Sequence, residues 1–327
     1  MCDTMYLEKL TDDFGIWQHA ARDGILKKEG YALDDIARGM IVFILYQKWK
    51  QAQICLQFIE RAFRNGTFVG VYDAKKMPVI YPCSLDALGL TYWALAYATN
   101  QKFQVERCQQ IRKKIQYTSI LQSQFIRPLA YMLFGEVLLR EQEQARELVA
   151  RLIKKFCLNY QWFEEHLTYA NPVLPFSLLQ YVSEFPHERN KTTLLRIIER
   201  SMQTIERYYY IGAIPSPPGN QFPQNVHKIR KEIYGQQPID AGFMVLLYIA
   251  GFEVIKKNEW IVQASQWMDW FYGNNIWKQT LINSHYACAD GLDEQGVSTH
   301  YGAESTIMYL WAKYICASSA ARLHKAE

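Results

Sequence analysis

Six apolar stretches of helical character recur along this chain of 327 residues, and each opens on polar residues. The openings are Leu33-Asp34-Asp35, Ser84-Leu85-Asp86, Gln124-Phe125-Ile126-Arg127, Tyr169-Ala170-Asn171, Gln237-Pro238-Ile239-Asp240 and Ala303-Glu304-Ser305. They lie about 40 to 70 residues apart, enough each time for two antiparallel helices and their loops. Six helical hairpins follow. If the motif-bearing helices form the inner layer of a ring, all their N-termini point one way and the polar groups gather at one pole. The predicted fold is therefore all-α, an (α/α)6 toroid in a single domain over 1–327, with long loops at that pole and one binding crater.

Composition narrows the partners. Half the residues are apolar, and 9 Trp and 22 Tyr exceed what a core alone uses, a surplus that suits flat ligands such as sugar rings. The net charge is only +4, with Lys and Arg spread along outer helical faces such as 110–114, so the clustered basic face of a nucleic-acid binder is missing. Seven widely spaced Cys read as reduced core residues of a cytoplasmic protein. The first residues, Met1-Cys2-Asp3-Thr4, carry no basic region followed by an apolar run, and no uninterrupted apolar stretch reaches membrane-spanning length.

Along the chain, 34–50 and 51–64 read as an inner and an outer helix, followed by a strand-like excursion over 67–73 that ends in Lys75, Lys76, Met77 and Pro78. Further hairpins are predicted over 86–98 with 104–117, 125–140 with 143–156, 171–185 with 192–210, and 240–256 with 259–272. The Pro-rich loop 211–235 is expected to fold over the crater. A second long loop, 273–302, leads to the last inner helix, 303–317, for which the N-terminal stretch 5–21 is the expected partner.

Several segments resemble the six-hairpin, glycosidase-like domains found alone or fused behind glycosyltransferases. They are Gly15-Ile16-Trp17-Gln18-His19-Ala20 with Gly30-Tyr31-Ala32-Leu33-Asp34-Asp35, Trp162-Phe163-Glu164 with Asn171, Gly235-Gln236-Gln237-Pro238-Ile239-Asp240, and Asp290-Gly291-Leu292 with Gly302-Ala303-Glu304-Ser305. The resemblance spans nearly the whole chain and implies the toroid and a carbohydrate role. Members of that family carry an additional acidic residue where this chain has Leu85.

Each candidate has a bland reading beside the functional one. Asp34, Asp35, Asp86 and Asp240 stand in first helical turns, where a carboxylate caps amides and suits the dipole. Two adjacent acids after Tyr31, and an acid beside Gln236 and Gln237, exceed what a cap needs; amides next to a carboxylate suit vicinal hydroxyls. Glu304 sits among small residues and follows His300 and Tyr301, although an acid paired with an arginine would look the same. Asp290 belongs to an Asp-Gly turn pair or to a binding loop. His19 by itself resembles a satisfied core histidine, and Glu164 beside Trp162 is either a desolvated acid or a surface one. The lone close pair His285 and Cys288 is too little for a zinc site, and no phosphate-binding glycine loop occurs, so no metal or cofactor is expected.

The leading expectation is a glycoside hydrolase acting on an oligosaccharide, its carboxyl pair drawn from Asp35, Asp240 and Glu304, with His19, Tyr31, Asp34, Asp86, Trp162, Glu164, Asn171, Gln236, Gln237, Asp290 and His300 binding substrate. Hydrolysis and phosphorolysis stay open. The alternatives are a sugar epimerase or isomerase using His19 or His300, and a non-catalytic glycan-binding partner of a glycosyltransferase.

Overall fold

A near-continuous apolar run cannot leave a polar face for solvent, so the helices it forms must be covered on all sides. Helix α2 (Leu33–Leu45) is of this kind, buried around almost its whole circumference, after a short α1 (Met5–Lys9). The chain turns back into α3 (Trp49–Ala62), whose Ala52, Cys55, Leu56, Ile59 and Ala62 repeat at helical spacing and face inward. The structure, a computed structural model, describes residues 3–22, 24–219, 224–228 and 235–326. Its contacts group the chain into two units, the first built from Met1–Val149, His285–Ala287 and His300–Ile307, the second from Ala150–Ser284, Cys288–Thr299 and Met308–Glu327.

In the first unit, α4 (Leu85–Asn100) starts where the Ser84 hydroxyl accepts the Ala87 amide at 3.1 Å. It is followed by α5 (Val105–Arg112), α6 (Tyr117–Leu121) and α7 (Arg127–Leu139), and the first part of α8 (Gln142–Lys155), up to residue 149, belongs to this unit as well. The single helix predicted over 104–117 is thus interrupted: the amides of Lys114 and Ile115 bond three residues back, to Ile111 and Arg112, and the last turn tightens and ends. Helices α4 and α7 run parallel, because Gly89 near the start of α4 meets Pro128 and Tyr131, while Gly135 near the end of α7 meets Tyr92 and Ala96. Both glycines allow backbone approach that a Cβ would block.

The N-terminal stretch departs from the predicted helical partner. Asp12 Oδ1 accepts the amides of Phe14 and Gly15 at 2.7 and 3.1 Å, and this local turn outcompetes helix continuation. Residues 18–21 then lie extended beside the start of α13 (Ala303–Ala326). The Tyr301 amide donates to the Ala20 carbonyl at 2.7 Å and the Ala303 amide to the Gln18 carbonyl at 3.0 Å. The segment does meet the last inner helix, but as a strand. The 67–73 excursion divides as well: Thr67–Phe68 pairs with Phe63–Arg64, whereas Val71–Tyr72 lies between Tyr31–Ala32 and Pro78–Ile80. The Leu33 amide donates to the Gly70 carbonyl, which fixes where α2 begins.

The second unit contains α9 (Val173–Glu184), α10 (Lys191–Tyr209), α11 (Pro238–Ile255), α12 (Glu259–Trp270) and the body of α13. Among the described residues only α11 is long and apolar enough to cross a membrane, and 78% of that stretch is buried inside the protein. Its Gly242 packs on Met308 and its Gly251 on Trp260, so it is a core helix sheathed by α12 and α13. Within the loop predicted over 211–235, Ile214–Pro215 pairs with Tyr210–Ile211 and Gln224–Asn225 with His166–Leu167. Residues 220–223 and 229–234 lie outside the described residues, and with them the expected closure of that loop.

One buried tie joins α4, α5 and α7. The Tyr92 hydroxyl donates to Glu136 Oε1 at 2.6 Å and accepts from Arg112 Nη1 at 2.8 Å. Burial raises the Glu136 carboxyl above its ordinary value, a push that the Tyr92 and Arg112 contacts only partly offset. A group that holds its proton more tightly in the folded state stabilises the fold below the unfolded carboxyl range and loses that contribution as pH rises through the raised value. Glu136→Gln cannot ionise. Thermal melts should therefore show its Tm gaining on the parent's as pH is raised from 4 to 7; a difference that does not change with pH would contradict the assignment.

Candidate functional site

Helical spacing places Arg38 one turn beyond Asp34, and the parallel start of α13 brings Glu304 to the same point. Arg38 Nη1 lies 3.0 Å from Asp34 Oδ2, 3.5 Å from Asp35 Oδ1 and 3.1 Å from Glu304 Oε2. The guanidinium is buried, as is the Asp35 side chain at 6% exposure, whereas Asp34 and Glu304 keep 36% and 38% of theirs in solvent. Burial alone would lower the Arg38 pKa, yet Glu304, Asp34, Tyr131 and Asp35 together outweigh it and raise it. The three carboxylates have oxygens within 4.8 Å of one another, the spacing of a cation site, but Arg38 already supplies the positive charge there.

Two histidines approach this helix start. Ala21 pairs antiparallel with His300, and the hydrogen bonds from Tyr301 to Ala20 and Ala303 to Gln18 continue the same register. In that register Gly302 stands opposite His19, and strand alternation puts His19 and His300 on one face as diagonal neighbours. Asp86 is half-buried in the first turn of α4, and Leu85 beside it is half-exposed. Arg127, which opens α7, is 4% exposed.

The second unit assembles two groups. Asp240 is 1% exposed, and its Oδ1 accepts the Asn171 amide at 3.2 Å and the Tyr209 hydroxyl at 2.7 Å. Gln236, Gln237 and Asp290 line an open cleft of about 490 Å³ with Asp293, Gln295, Ser298 and Thr299. An antiparallel bridge between Gln236 and Leu292 joins the two segments that build it. Its walls offer carboxylates, side-chain amides and hydroxyls, a donor and acceptor array matched to neutral polyols.

Four of the expected substrate contacts are buried and engaged by other residues. Tyr31 is fully buried, tilted against Trp17 at 4.1 Å, and its hydroxyl donates to Asp12 at 2.6 Å. Trp162 is fully buried against Phe163. The Asn171 side-chain amide accepts from the Thr168 backbone N–H and donates to the Tyr209 hydroxyl. The Gln236 side chain spans the Ser216 hydroxyl at 2.9 Å and the Trp270 indole at 2.8 Å, which fixes the strand entering α11. Glu164 is half-buried just before His166–Leu167. The sequence places Arg38 one turn beyond Asp34 and allows an arginine partner for Glu304, but it does not show that the two are the same arginine. Nothing in the spacing announced Tyr209 or Ser216.

No protein-family model and no characterised protein sequence matches the chain. Solved structures do. A cellobiose 2-epimerase from Bacillus thermoamylovorans superposes with a TM-score of 0.74 at 11% identity, covering 97% of this chain and 95% of the other. A D-mannose isomerase gives 0.71 at 11%, covering 98% and 95%, and a family 76 α-mannanase from Bacteroides thetaiotaomicron gives 0.63 at 10%, covering 97% and 93%. The chain has the six-hairpin (α/α)6 fold that these proteins share, as the sequence spacing predicts.

If Arg38 neutralises this cluster, Arg38→Met leaves three carboxylates facing one another without a counter-charge. The expected loss is roughly 2 to 4 kcal/mol, below that of a fully enclosed network because Asp34 and Glu304 are partly solvated. Arg38→Lys, a point charge that cannot fork between partners, should lose less. Urea unfolding checks both; equal stability of the parent and the Met variant would remove Arg38 as the organising group.

Proposed function

We propose that this chain is a carbohydrate-active enzyme that cleaves an oligosaccharide, with Glu304 as its ionised carboxylate. The observation that carries the reading is the convergence of Asp34, Asp35 and Glu304 on Arg38 with Glu304 still over a third exposed. A carboxylate beside a buried guanidinium favours its charged form, the state needed to activate water or attack an anomeric carbon. The partner acid, which must deliver a proton to the leaving oxygen, is to be sought in Asp35, the buried carboxyl of the same cluster. The cleft bearing Gln237 and Asp290 supports a neutral polyhydroxyl ligand, and the shared fold with an α-mannanase agrees with a glycan substrate.

The placing of His19 and His300 as diagonal neighbours on one strand face favours a second reading. Two imidazoles side by side suit proton removal and return next to a sugar carbonyl, as an epimerase or isomerase requires. The half-exposed Leu85 favours a third, a non-catalytic glycan-binding partner of a glycosyltransferase.

Product analysis separates them. Purified protein is incubated with manno-, gluco- and galacto-oligosaccharides in heavy water, with and without phosphate, and followed by NMR of the anomeric protons. Hydrolysis releases new reducing ends, and Glu304→Gln should slow it at least about a hundredfold with little change in sugar binding. Deuterium entering beside the carbonyl without new reducing ends would replace hydrolysis by epimerisation, with His19→Asn and His300→Asn then the inactive variants. Binding without any product would leave the glycan-binding partner.

A further inference from the structure

The tie among Arg112, Tyr92 and Glu136 also forms the floor of a pocket that the proposed reaction does not use. This pocket has a volume of about 360 Å³ and is lined by Tyr92, Arg112, Ile115, Tyr117, Glu136 and Gln144, with Lys113 and Glu141 at its rim. Glu136 stands in the last turn of α7, whereas the Arg38 cluster stands at the start of α2 and α13. The two sites are different places on the first unit.

Two features mark the floor as more than a helix tie. Glu136 is only 2% exposed yet lines the pocket, and among the described residues the one hydrogen bond to its carboxyl is that from Tyr92 to Oε1. Arg112 spends Nη1 on the same hydroxyl, and its buried Nε has no partner among the described residues. The hydroxyl stands between guanidinium and carboxylate, so this donor and this acceptor do not satisfy each other directly. Buried polar groups left in that state are costly in a folded protein and are relieved by any ligand that completes them.

We propose that this pocket is a second, non-catalytic glycan-binding site that grips a vicinal diol. One ligand hydroxyl donates to Glu136 while its neighbour accepts from Arg112, and the ring face lies against Tyr117 and Ile115. The volume falls at the small end of the usual range for ligand pockets and accommodates one or two sugar rings. Arg112 and Lys113 are balanced by Glu136 and Glu141, so the pocket has no net attraction for anionic sugars. Such a site would hold one end of a long glycan while another segment reacts. The choice of sugar as ligand class rests on the reading proposed above; the pocket and its unpaired groups do not.

The test uses the full chain and three neutral probes, mannotriose, maltotriose and lactose, each titrated with saturation-transfer NMR. Variants Arg112→Gln and Tyr117→Ala are compared with the parent, and far-UV circular dichroism verifies folding. Tyr117 is half-buried at the pocket wall, so its truncation remains informative even where Arg112→Gln perturbs the tie. The expected result is at least a tenfold weakening of one class of binding in both variants, with turnover of short oligosaccharides unchanged. Binding equal to the parent's in both variants would overturn the proposal, and so would loss of turnover in Tyr117→Ala, which would tie the pocket to the reaction. Failure of the catalytic reading looks different: the parent yields no product, while the weakening in the two variants persists.

Discussion

The arrangement depends on one buried guanidinium. Arg38 sits among groups that would repel one another without it, and its Nη1 touches carboxylates from α2 and from the start of α13, far apart in sequence. A charge taken out of water is tolerated only when paired and hydrogen-bonded. Here the pairing also decides geometry, because Glu304 can be reached only if α13 starts level with α2. Two structural details enforce that level. The backbone ladder between residues 18–21 and 300–303 fixes the entry to α13, and Gly39 lets Ile16 and Ile307 close against α2.

The second unit solves the same problem without a cation. Asp240 at the start of α11 takes hydrogen bonds from the Asn171 amide and the Tyr209 hydroxyl, which brings the starts of α9 and α11 and the end of α10 to one point. Gln236, bonded to Ser216 and Trp270, then holds the strand entering α11 so that Gln237 and Asp290 open onto the same cleft. Polar residues at these helix starts therefore divide into two roles. Those with every donor and acceptor consumed internally set positions, and those with solvent-facing atoms are available to a ligand.

That division explains what could be read from the sequence. The inner helices were legible because helices buried on all sides require long apolar runs, as in α2 and α11, and because two antiparallel helices need a minimum length between successive motifs. That Asp34, Asp35 and Glu304 stand near one another follows from the shared direction of the helix starts, whereas the bridge that brings Gln237 beside Asp290 joins segments the sequence does not connect. The roles of Tyr31, Trp162, Asn171 and Gln236 were not legible. A motif fixes where a side chain begins, but its partner arrives from a distant segment, such as Asp12 for Tyr31 or Trp270 for Gln236. The N-terminal stretch misled for a local reason: its apolar spacing is compatible with a helix, yet Asp12 captures the amides of Phe14 and Gly15.

In the proposed reaction the Arg38-held carboxylates face the substrate. The most direct measurement is a crystal structure of Glu304→Gln, slowed so that substrate persists, soaked with the oligosaccharide that the parent turns over fastest. The expected result is a sugar ring with hydroxyls within hydrogen-bond distance of Asp34 and of the side chain at position 304. A sugar bound in full occupancy with no contact to Asp34, Asp35 or position 304 would contradict it.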